Sequence, residues 1–288
     1  MAVVMEKPMT MINRREFCFA FAAALSPRLI FGQQRTLFLP KNYQNSRGDK
    51  LPYRLFLPQS YDTRKKYPLV LWLHGGAGRG TDNLKQISGG NTVGSHVWTS
   101  PRNQRKNPCF VVAPQCPGTK LWATLDTARP TEQLQLVLEL LQDLGSKFSL
   151  DERRLYVAGQ SMGGFGTWSL ISQYPDMFAA AIPICGGGNE SDAAKLIGTP
   201  IWAFHGEKDE AVSVERSRNM IAAIREAGGK AKYTEYKGAG HVIWDEVFSE
   251  PGLIEWVFAQ SNSRLNRSRN PASYVSPGVT CGPRDLGR

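Results

Sequence analysis

Short apolar segments rich in β-branched residues alternate with segments of helical periodicity along most of this chain. The apolar segments are hydrophobic almost throughout, which is typical of strands buried on both faces of a parallel sheet. Strands are predicted at 53–58, 68–75, 109–115, 154–160, 178–186, 200–206 and 231–236. Helices are predicted at 131–148, 162–175, 214–228 and 252–260. The alternation predicts an α/β fold with a mostly parallel central sheet and helices on both of its faces.

The two ends of the chain differ in composition from this alternating region. A single domain over 33–260 is expected, because α/β domains of this size are common. Residues 261–288 have few large apolar residues and many turn formers, and they predict a disordered basic tail. The formal charge of +10 lies mostly at the two ends of the chain. We therefore expect no nucleic-acid partner.

Residues 1–32 have the features of an export signal. Arg14 and Arg15, followed by Glu16, stand just before an apolar run over 17–25, which is far shorter than the roughly 20 residues that a membrane-spanning helix needs. The run fits the hydrophobic region of a signal peptide, and the arginine pair resembles a twin-arginine signal. We expect a periplasmic or secreted protein that meets the export machinery and has no stable membrane anchor. The alternative is an N-terminal helix packed on the domain.

Cysteine usage gives no metal or disulfide framework. Three of the five cysteines lie in the body of the chain, at Cys109, Cys116 and Cys185. Their spacing lacks the CxxC pattern of zinc sites, and their number is odd. An exported protein can oxidise a pair of them, so a disulfide and three buried free thiols both stay open.

The sequence Gly159-Gln160-Ser161-Met162-Gly163 stands between a predicted strand and a predicted helix. This G-x-S-x-G pattern is the nucleophile elbow, a sharp turn that exposes a serine above the sheet edge. Its flanking glycines are expected because side chains at these positions would collide. Ser161 is the predicted nucleophile, and the N–H of Met162, at the start of the helix, is a predicted oxyanion donor.

A serine hydroxyl needs a base, and the base needs an orienting acid. His241 follows the last predicted strand on a glycine-containing loop, and it follows Ser161 in the chain as the elbow order Ser, Asp or Glu, His requires. Asp209 lies between them after a strand and is the predicted acid, with Glu207 as second choice. The other three histidines are expected to be structural: His74, His96 and His205.

The segment LHGGAGRG ends a predicted strand in glycines whose amides can converge on one point. Gly76 is the expected oxyanion donor beside Met162, with Gly75 or Ala77 as alternatives. A phosphate-binding loop is excluded, because the segment lacks the Gly-Lys-Ser/Thr of the Walker pattern.

Five segments of the chain carry a family resemblance over roughly residues 45–260. They are LHGGAGRGTDNLKQI, FVVAPQCP, LYVAGQSMGGFGTW, FHGEKDEAV and GAGHVIWDEVFSEPGLIEWV. Together they resemble the exported α/β-hydrolases of the esterase and "predicted peptidase" group, which is related to dienelactone hydrolases, polyhydroxybutyrate depolymerases and feruloyl esterases. Relatives often carry Gly-Glu-Arg-Gly where this chain has Ala77-Gly78-Arg79.

The resemblance implies an α/β-hydrolase catalytic domain over 33–260. Within it, Ser161 is the nucleophile, Asp209 the acid and His241 the base, and the oxyanion loop lies at Gly75–Gly76. The implied reaction is cleavage of a carboxylic ester, including acyl or feruloyl esters on carbohydrate, through an acyl-enzyme. It requires no metal or organic cofactor.

The spacing of the catalytic candidates predicts an open site. Asp209 follows Ser161 by 48 positions and precedes His241 by 32. The predicted strands and helices fill both intervals, so no lid domain is expected, and a small-molecule ester or an ester linked to a polysaccharide would fit. The residues expected to contact it are Trp122, Trp244 and Gln160.

Two other functions stay open at this point. A serine peptidase of the prolyl-oligopeptidase type shares these motifs, but such enzymes usually carry a propeller domain, which is not expected here. A non-catalytic binding protein on a hydrolase body would have no need to keep Ser161, Asp209 and His241 together.

Overall fold

A computed structural model of the protein describes residues 37–124 and 130–264. The predicted export signal and most of the predicted tail lie outside these residues. The described chain continues past the predicted domain end at 260. Asn262 is buried, and the Arg264 guanidinium lies 3.3 Å from a carboxylate oxygen of Asp176. The folded domain therefore extends to at least Arg264.

Eight strands form one sheet in the order β1-β2-β4-β3-β5-β6-β7-β8. Strands β1 and β2 form an antiparallel pair, β2 is antiparallel to β4, and all other neighbours are parallel. The strands are β1 (Leu39–Gln44), β2 (Lys50–Phe56), β3 (Tyr67–Leu73), β4 (Phe110–Pro114), β5 (Leu150–Gln160), β6 (Ala180–Ile184), β7 (Trp202–Gly206) and β8 (Lys232–Tyr236). All seven predicted strands are present, and β1 is additional.

Seven α-helices lie among the described residues. They are α1 (Thr92–His96), α2 (Pro101–Lys106), α3 (Glu132–Lys147), α4 (Met162–Gln173), α5 (Glu215–Glu226), α6 (Trp244–Ser249) and α7 (Leu253–Ala259). The four predicted helices agree with α3, α4, α5 and α7 to within two residues at each end. Short 3₁₀ helices occur at Gly76–Gly78, Lys85–Ile87, Gly89–Asn91, Val97–Thr99 and Glu190–Leu196.

Strand β3 shows why the sheet is covered on both faces. All seven of its residues are buried, and they alternate between two separate hydrophobic clusters. Leu71 packs into the cluster that holds the apolar faces of α3, α4 and α5, whereas Trp72 packs into the cluster with α6 and α7. Because successive side chains of a strand point to opposite faces, a continuous apolar run of this kind needs helices on both sides. The predicted fold class, the α/β-hydrolase fold, is confirmed.

The connections between β5 and β8 are short. Within the described residues they hold only α4, the 3₁₀ helix Glu190–Leu196 and α5, so no inserted lid stands between Ser161 and His241. No helix in the described part of the chain is both long enough and apolar enough to cross a membrane.

Candidate active site

Ser161 occupies a strained turn between β5 and α4. Its backbone has φ +54° and ψ −118°, a conformation that is unfavourable for a residue with a Cβ. The Ser161 N–H donates to the carbonyl of Ile184 at 2.8 Å, which ties the turn to the neighbouring strand β6. This backbone geometry places the hydroxyl at the carboxyl edge of the sheet, just ahead of the helix.

The two glycines that flank the turn leave no room for side chains. A Cβ on Gly163 would overlap the carbonyl oxygen of Leu73 at the end of β3, and a Cβ on Gly159 would overlap the carbonyl of Gly163. These contacts are with backbone atoms, which cannot rotate away. The pattern G-x-S-x-G is thus a requirement for the close approach of α4 to the ends of β3 and β5.

Residues far apart in the chain meet at Ser161. The Nε2 atom of His241 lies 2.9 Å from Ser161 Oγ, and its Nδ1 atom lies 2.6 Å from Asp209 Oδ2. The three residues follow β5, β7 and β8, whose carboxyl ends meet at one edge because these strands are parallel. The Asp209 carboxylate accepts from Nδ1–H, so Nε2 is left to accept a proton from the serine.

The Asp209 carboxylate is fully buried and fully hydrogen-bonded. Its Oδ1 atom accepts from the N–H groups of Ala211 at 2.9 Å and Val212 at 2.8 Å. Burial raises the pKa of Asp209, but the hydrogen bonds from His241 and from Val212 N–H outweigh burial, and the net pKa is lowered. Asp209 is therefore an anion at neutral pH, as an orienting acid must be.

Glu207, the second choice for the acid, has a different role. Its Oε2 atom accepts from the N–H of Gly238 at 2.6 Å, in the turn that follows β8. It therefore anchors the loop that carries His241, and Asp209 is the carboxylate that contacts the imidazole.

The predicted oxyanion loop is present, with one correction. The N–H of Gly75 donates to the side-chain oxygen of Asn91 at 2.9 Å, so this donor is already used and the expectation for Gly75 is wrong. Within the described residues, the N–H groups of Gly76 and Met162 have no acceptor. Both stand at the first position of a helical turn, where N–H groups lack intrahelical partners. These two amides can receive a developing oxyanion.

Asn91 is a site residue that the sequence analysis missed. It is buried, its Oδ1 also accepts from Gln160 Nε2 at 3.2 Å, and its Nδ2 donates to the Lys85 carbonyl at 3.1 Å. Through these bonds it joins the oxyanion loop to the residue before the nucleophile. No motif marks it; a polar residue at the end of the segment SGGN was the only signal.

The three residues expected to contact substrate are all buried. The Trp122 ring is fully buried and its Nε1–H donates to the His74 carbonyl at 3.1 Å, so it supports the loop from inside. Gln160 donates to the Gly90 carbonyl at 2.9 Å as well as to Asn91. Trp244 is 7% exposed and packs edge-on against the His241 ring with 5.4 Å between centroids. The expectation that Trp122 contacts substrate is corrected, because its ring is fully buried beneath the loop. For Gln160 and Trp244 it stays a prediction.

Two further groups border the oxyanion loop. His74 Nδ1 lies 2.7 Å from the Gly75 carbonyl, and its Nε2 accepts from the Cys116 N–H at 3.0 Å. Burial lowers the pKa of His74 to about 4, so the ring is neutral and structural, as expected. Arg79, where the chain departs from the pattern of its relatives, is exposed, and its Nε donates to the Gly76 carbonyl at 3.3 Å.

The donor set next to Asp209 is a poor fit for a metal ion. Ligand atoms of Cys185, His205 and Asp209 lie within 4.8 Å of one another. Burial raises the pKa of the Cys185 thiol, however, and metal binding needs the thiolate. The His205 Nε2 atom is also engaged by the Val212 carbonyl at 2.9 Å. The three cysteines of the body, Cys109, Cys116 and Cys185, are buried free thiols.

With this geometry established, comparison with known proteins identifies the family. The model of the family described as "Putative esterase" matches residues 44–225. The chain belongs to the Esterase family. This assignment agrees with the resemblance found in the sequence.

Three relatives of this chain show how far the similarity extends. The crystal structure of a thermostable esterase is 41% identical, with a TM-score of 0.76, and the match covers 80% of this chain and 64% of that one. An "Uncharacterized secreted protein" of Arthroderma benhamiae is 25% identical over 73% of this chain and 25% of its own length. The bifunctional acetylxylan esterase/xylanase XynS20E of Neocallimastix patriciarum is 29% identical over 33% of this chain and 14% of its own. The chain thus spans less than two thirds of the length of each relative.

Proposed function

We propose that this chain is a serine esterase in which Ser161 is the nucleophile, His241 the general base and Asp209 the orienting acid. The observation that carries the proposal is the continuous hydrogen-bonded path from Asp209 Oδ2 to Ser161 Oγ, with 2.6 Å and 2.9 Å steps on either side of His241. Both lengths are within hydrogen-bond reach, as transfer of the serine proton requires.

Acylation begins when Ser161 Oγ attacks the ester carbonyl carbon. Its proton passes to His241 Nε2, and the carbonyl oxygen becomes an oxyanion that the Gly76 and Met162 amides stabilise. When the tetrahedral intermediate collapses, the carbon–oxygen bond to the alcohol breaks. His241 then gives its proton to the departing alkoxide, and the acyl group stays on Ser161.

Deacylation repeats these steps with water. His241 Nε2 takes a proton from a water molecule as its oxygen attacks the acyl carbon. Collapse of the second tetrahedral intermediate breaks the bond to Ser161 Oγ, which recovers the proton from His241. Throughout, the anionic Asp209 carboxylate stabilises the imidazolium that forms transiently.

The substrate proposed is an ester at the surface of a larger molecule, such as an acyl group on carbohydrate. Two observations support it. The described connections contain no lid, and Val242, beside His241, is 70% exposed, so the base stands at an open surface. The acetylxylan esterase among the relatives acts, by its name, on a carbohydrate ester.

The experiment that tests this function is hydrolysis of a small panel by the wild type and by Ser161→Ala. The panel contains p-nitrophenyl acetate, acetylated xylan, methyl ferulate and a peptide anilide. Ester turnover that is lost in Ser161→Ala is expected. Turnover of the anilide alone would instead establish a serine peptidase. Absence of any turnover, with acetylated xylan still bound, would favour a binding protein.

We also propose that residues 1–32 direct export. The paired Arg14 and Arg15 before a nine-residue apolar run support this, as does the match to a secreted fungal protein. Fractionation of bacteria that express the full chain tests it. Wild-type protein is expected outside the cytoplasm, and the double variant Arg14→Lys, Arg15→Lys is expected to accumulate inside. Equal distribution of the two would contradict a twin-arginine route.

A further inference from the structure

We propose that His205 is a positioning residue for the proposed esterase reaction, which holds the Asp209 carboxylate through a hydrogen bond from its own Nε2–H. The proposal rests on the function given above, because the orientation of Asp209 matters only if His241 acts as the base. His205 lies on β7, four residues before Asp209, and its side chain is completely buried.

Two histidines approach the same oxygen of Asp209. His241 Nδ1 lies 2.6 Å from Oδ2, and His205 Nε2 lies 3.2 Å from that atom. The same Nε2 atom lies 2.9 Å from the Val212 carbonyl. The His205 N–H thus donates to the Val212 carbonyl, and the Asp209 oxygen at 3.2 Å is the second acceptor of the proposed three-centre arrangement.

The partners of His205 fix its tautomer. The Val212 carbonyl can only accept, so Nε2 must carry the proton. The other ring nitrogen, Nδ1, lies 2.7 Å from the hydroxyl of Ser217 on α5, which can donate to it. Burial, the largest influence, lowers the pKa of His205. A neutral ring with its proton on Nε2 satisfies every one of these contacts.

With the proposed bond from His205, the Asp209 carboxylate has donors on both of its oxygens from two sides. Oδ1 receives the N–H groups of Ala211 and Val212, and Oδ2 receives the two imidazoles. Without His205, Asp209 Oδ2, which orients His241, would lose its contact with β7. The carboxylate could then rotate, and the imidazole would spend less time aligned with Ser161. A small misalignment of this kind can reduce turnover by about 100-fold.

A matched pair of variants separates positioning from packing. His205→Gln places an amide N–H near the original Nε2 and keeps a donor for Asp209. His205→Asn places its amide near the original Nδ1, facing Ser217, and loses that donor. In the full chain we expect Asn to lower kcat by about 10- to 100-fold at unchanged KM, and Gln to retain most of kcat.

A spectroscopic readout is independent of turnover. The proton between His241 Nδ1 and Asp209 should give a far-downfield proton resonance in the wild type and in His205→Gln, and it should shift or broaden in His205→Asn. Equal kcat values in His205→Gln and His205→Asn would overturn the proposal. So would a resonance that stays unchanged in His205→Asn.

The wild type alone provides a last test if neither variant folds. Spectra of protein with ¹⁵N-labelled histidine report the tautomer of each ring, and His205 is expected to be neutral with its proton on Nε2. A proton on Nδ1 with Nε2 unprotonated would refute the proposal, because no donor would then face Asp209. If the wild type hydrolyses no ester, the proposed function fails. Separately, an unprotonated Nε2 on His205, or a downfield resonance that is unchanged in His205→Asn, would overturn the role of His205.

Discussion

The side-chain oxygen of Asn91 accepts a hydrogen bond from the N–H of Gly75 at 2.9 Å, and through it the oxyanion loop is attached to the turn before the nucleophile. This bond removes Gly75 from the set of available oxyanion donors. The same bond fixes the orientation of the next peptide group, and therefore the direction in which the Gly76 N–H points. Preorganisation of this kind is what makes an oxyanion donor effective.

We therefore predict that Asn91→Leu lowers kcat about tenfold with little change in KM. The substitution leaves the N–H of Gly75 buried without an acceptor, which costs about 1–3 kcal/mol, and the loop shifts to relieve it. Steady-state kinetics with a p-nitrophenyl ester measures the effect. Asn103→Leu is the matched control, because Asn103 also bonds a backbone carbonyl, that of Val97 at 2.7 Å, but not the elbow. Similar kinetic losses in both variants would contradict the role of Asn91.

A second prediction concerns Gly163 in the elbow. Gly163→Ala is expected to lower the free energy of unfolding by about 3 kcal/mol, since its Cβ would overlap the backbone oxygen of Leu73. Gly145→Ala in α3 is the control, because nothing lies within 4 Å of its Cβ position and alanine favours helix by up to about 1 kcal/mol. Urea unfolding compares the two. A Gly163→Ala protein as stable as wild type would show that the elbow can open to admit a side chain.

A third prediction follows from the burial of Trp122. Trp122→Phe keeps an aromatic ring but removes the indole N–H that donates to the His74 carbonyl at 3.1 Å, which should cost about 1–3 kcal/mol of stability. KM for a carbohydrate ester should not change, because the ring has no exposed surface. Kinetics on acetylated xylan and urea unfolding measure the two effects. A raised KM with unchanged stability would restore the original expectation that this ring contacts substrate.

The elements that could be predicted from the sequence are those with a strong local signal. Each parallel strand is a continuous apolar run, and the elbow glycines, the serine and the chain order of Asp209 and His241 follow from steric and chemical requirements. Strand β1 (Leu39–Gln44) was missed because it is an edge strand in which almost every residue is exposed and Pro40 interrupts the pattern. Helices of five or six residues, such as α1 and α6, are too short to show a period.

The supporting contacts of the site could not be predicted, because they depend on distances in space. Asn91, His205 and Trp122 show this, since each is a polar or aromatic residue at a loop or strand end with no distinctive spacing. Trp122 lies in a segment of Pro, Gly and Lys that is typical of an exposed loop. Its burial arises only because this loop folds back against α4, where Gly166 leaves space beside the ring.

The last prediction concerns pH and the Asp82 carboxylate, which organises the loop ahead of Asn91. Burial raises the pKa of Asp82, but hydrogen bonds from the N–H groups of Lys85 and Leu84 and from Gln115 outweigh it, and the pKa falls to about 2 from 3.8. A carboxyl whose pKa is lowered by folding stabilises the protein above its unfolded pKa, and this stabilisation is lost as pH falls from about 3.8 through about 2.

Asp82→Asn should therefore lower the free energy of unfolding at pH 6 by about 1 kcal/mol, a value discounted because the side chain is 37% exposed. Near pH 2 about half of the folded wild type is itself protonated at Asp82, so most of the difference between the two proteins should be lost. Urea unfolding of both proteins at several pH values from 6 to 2 measures the difference, and the comparison cancels the contributions of all other carboxyl groups. A difference that stays constant across this range would show that shape, and not charge, accounts for the effect of Asp82 on the loop.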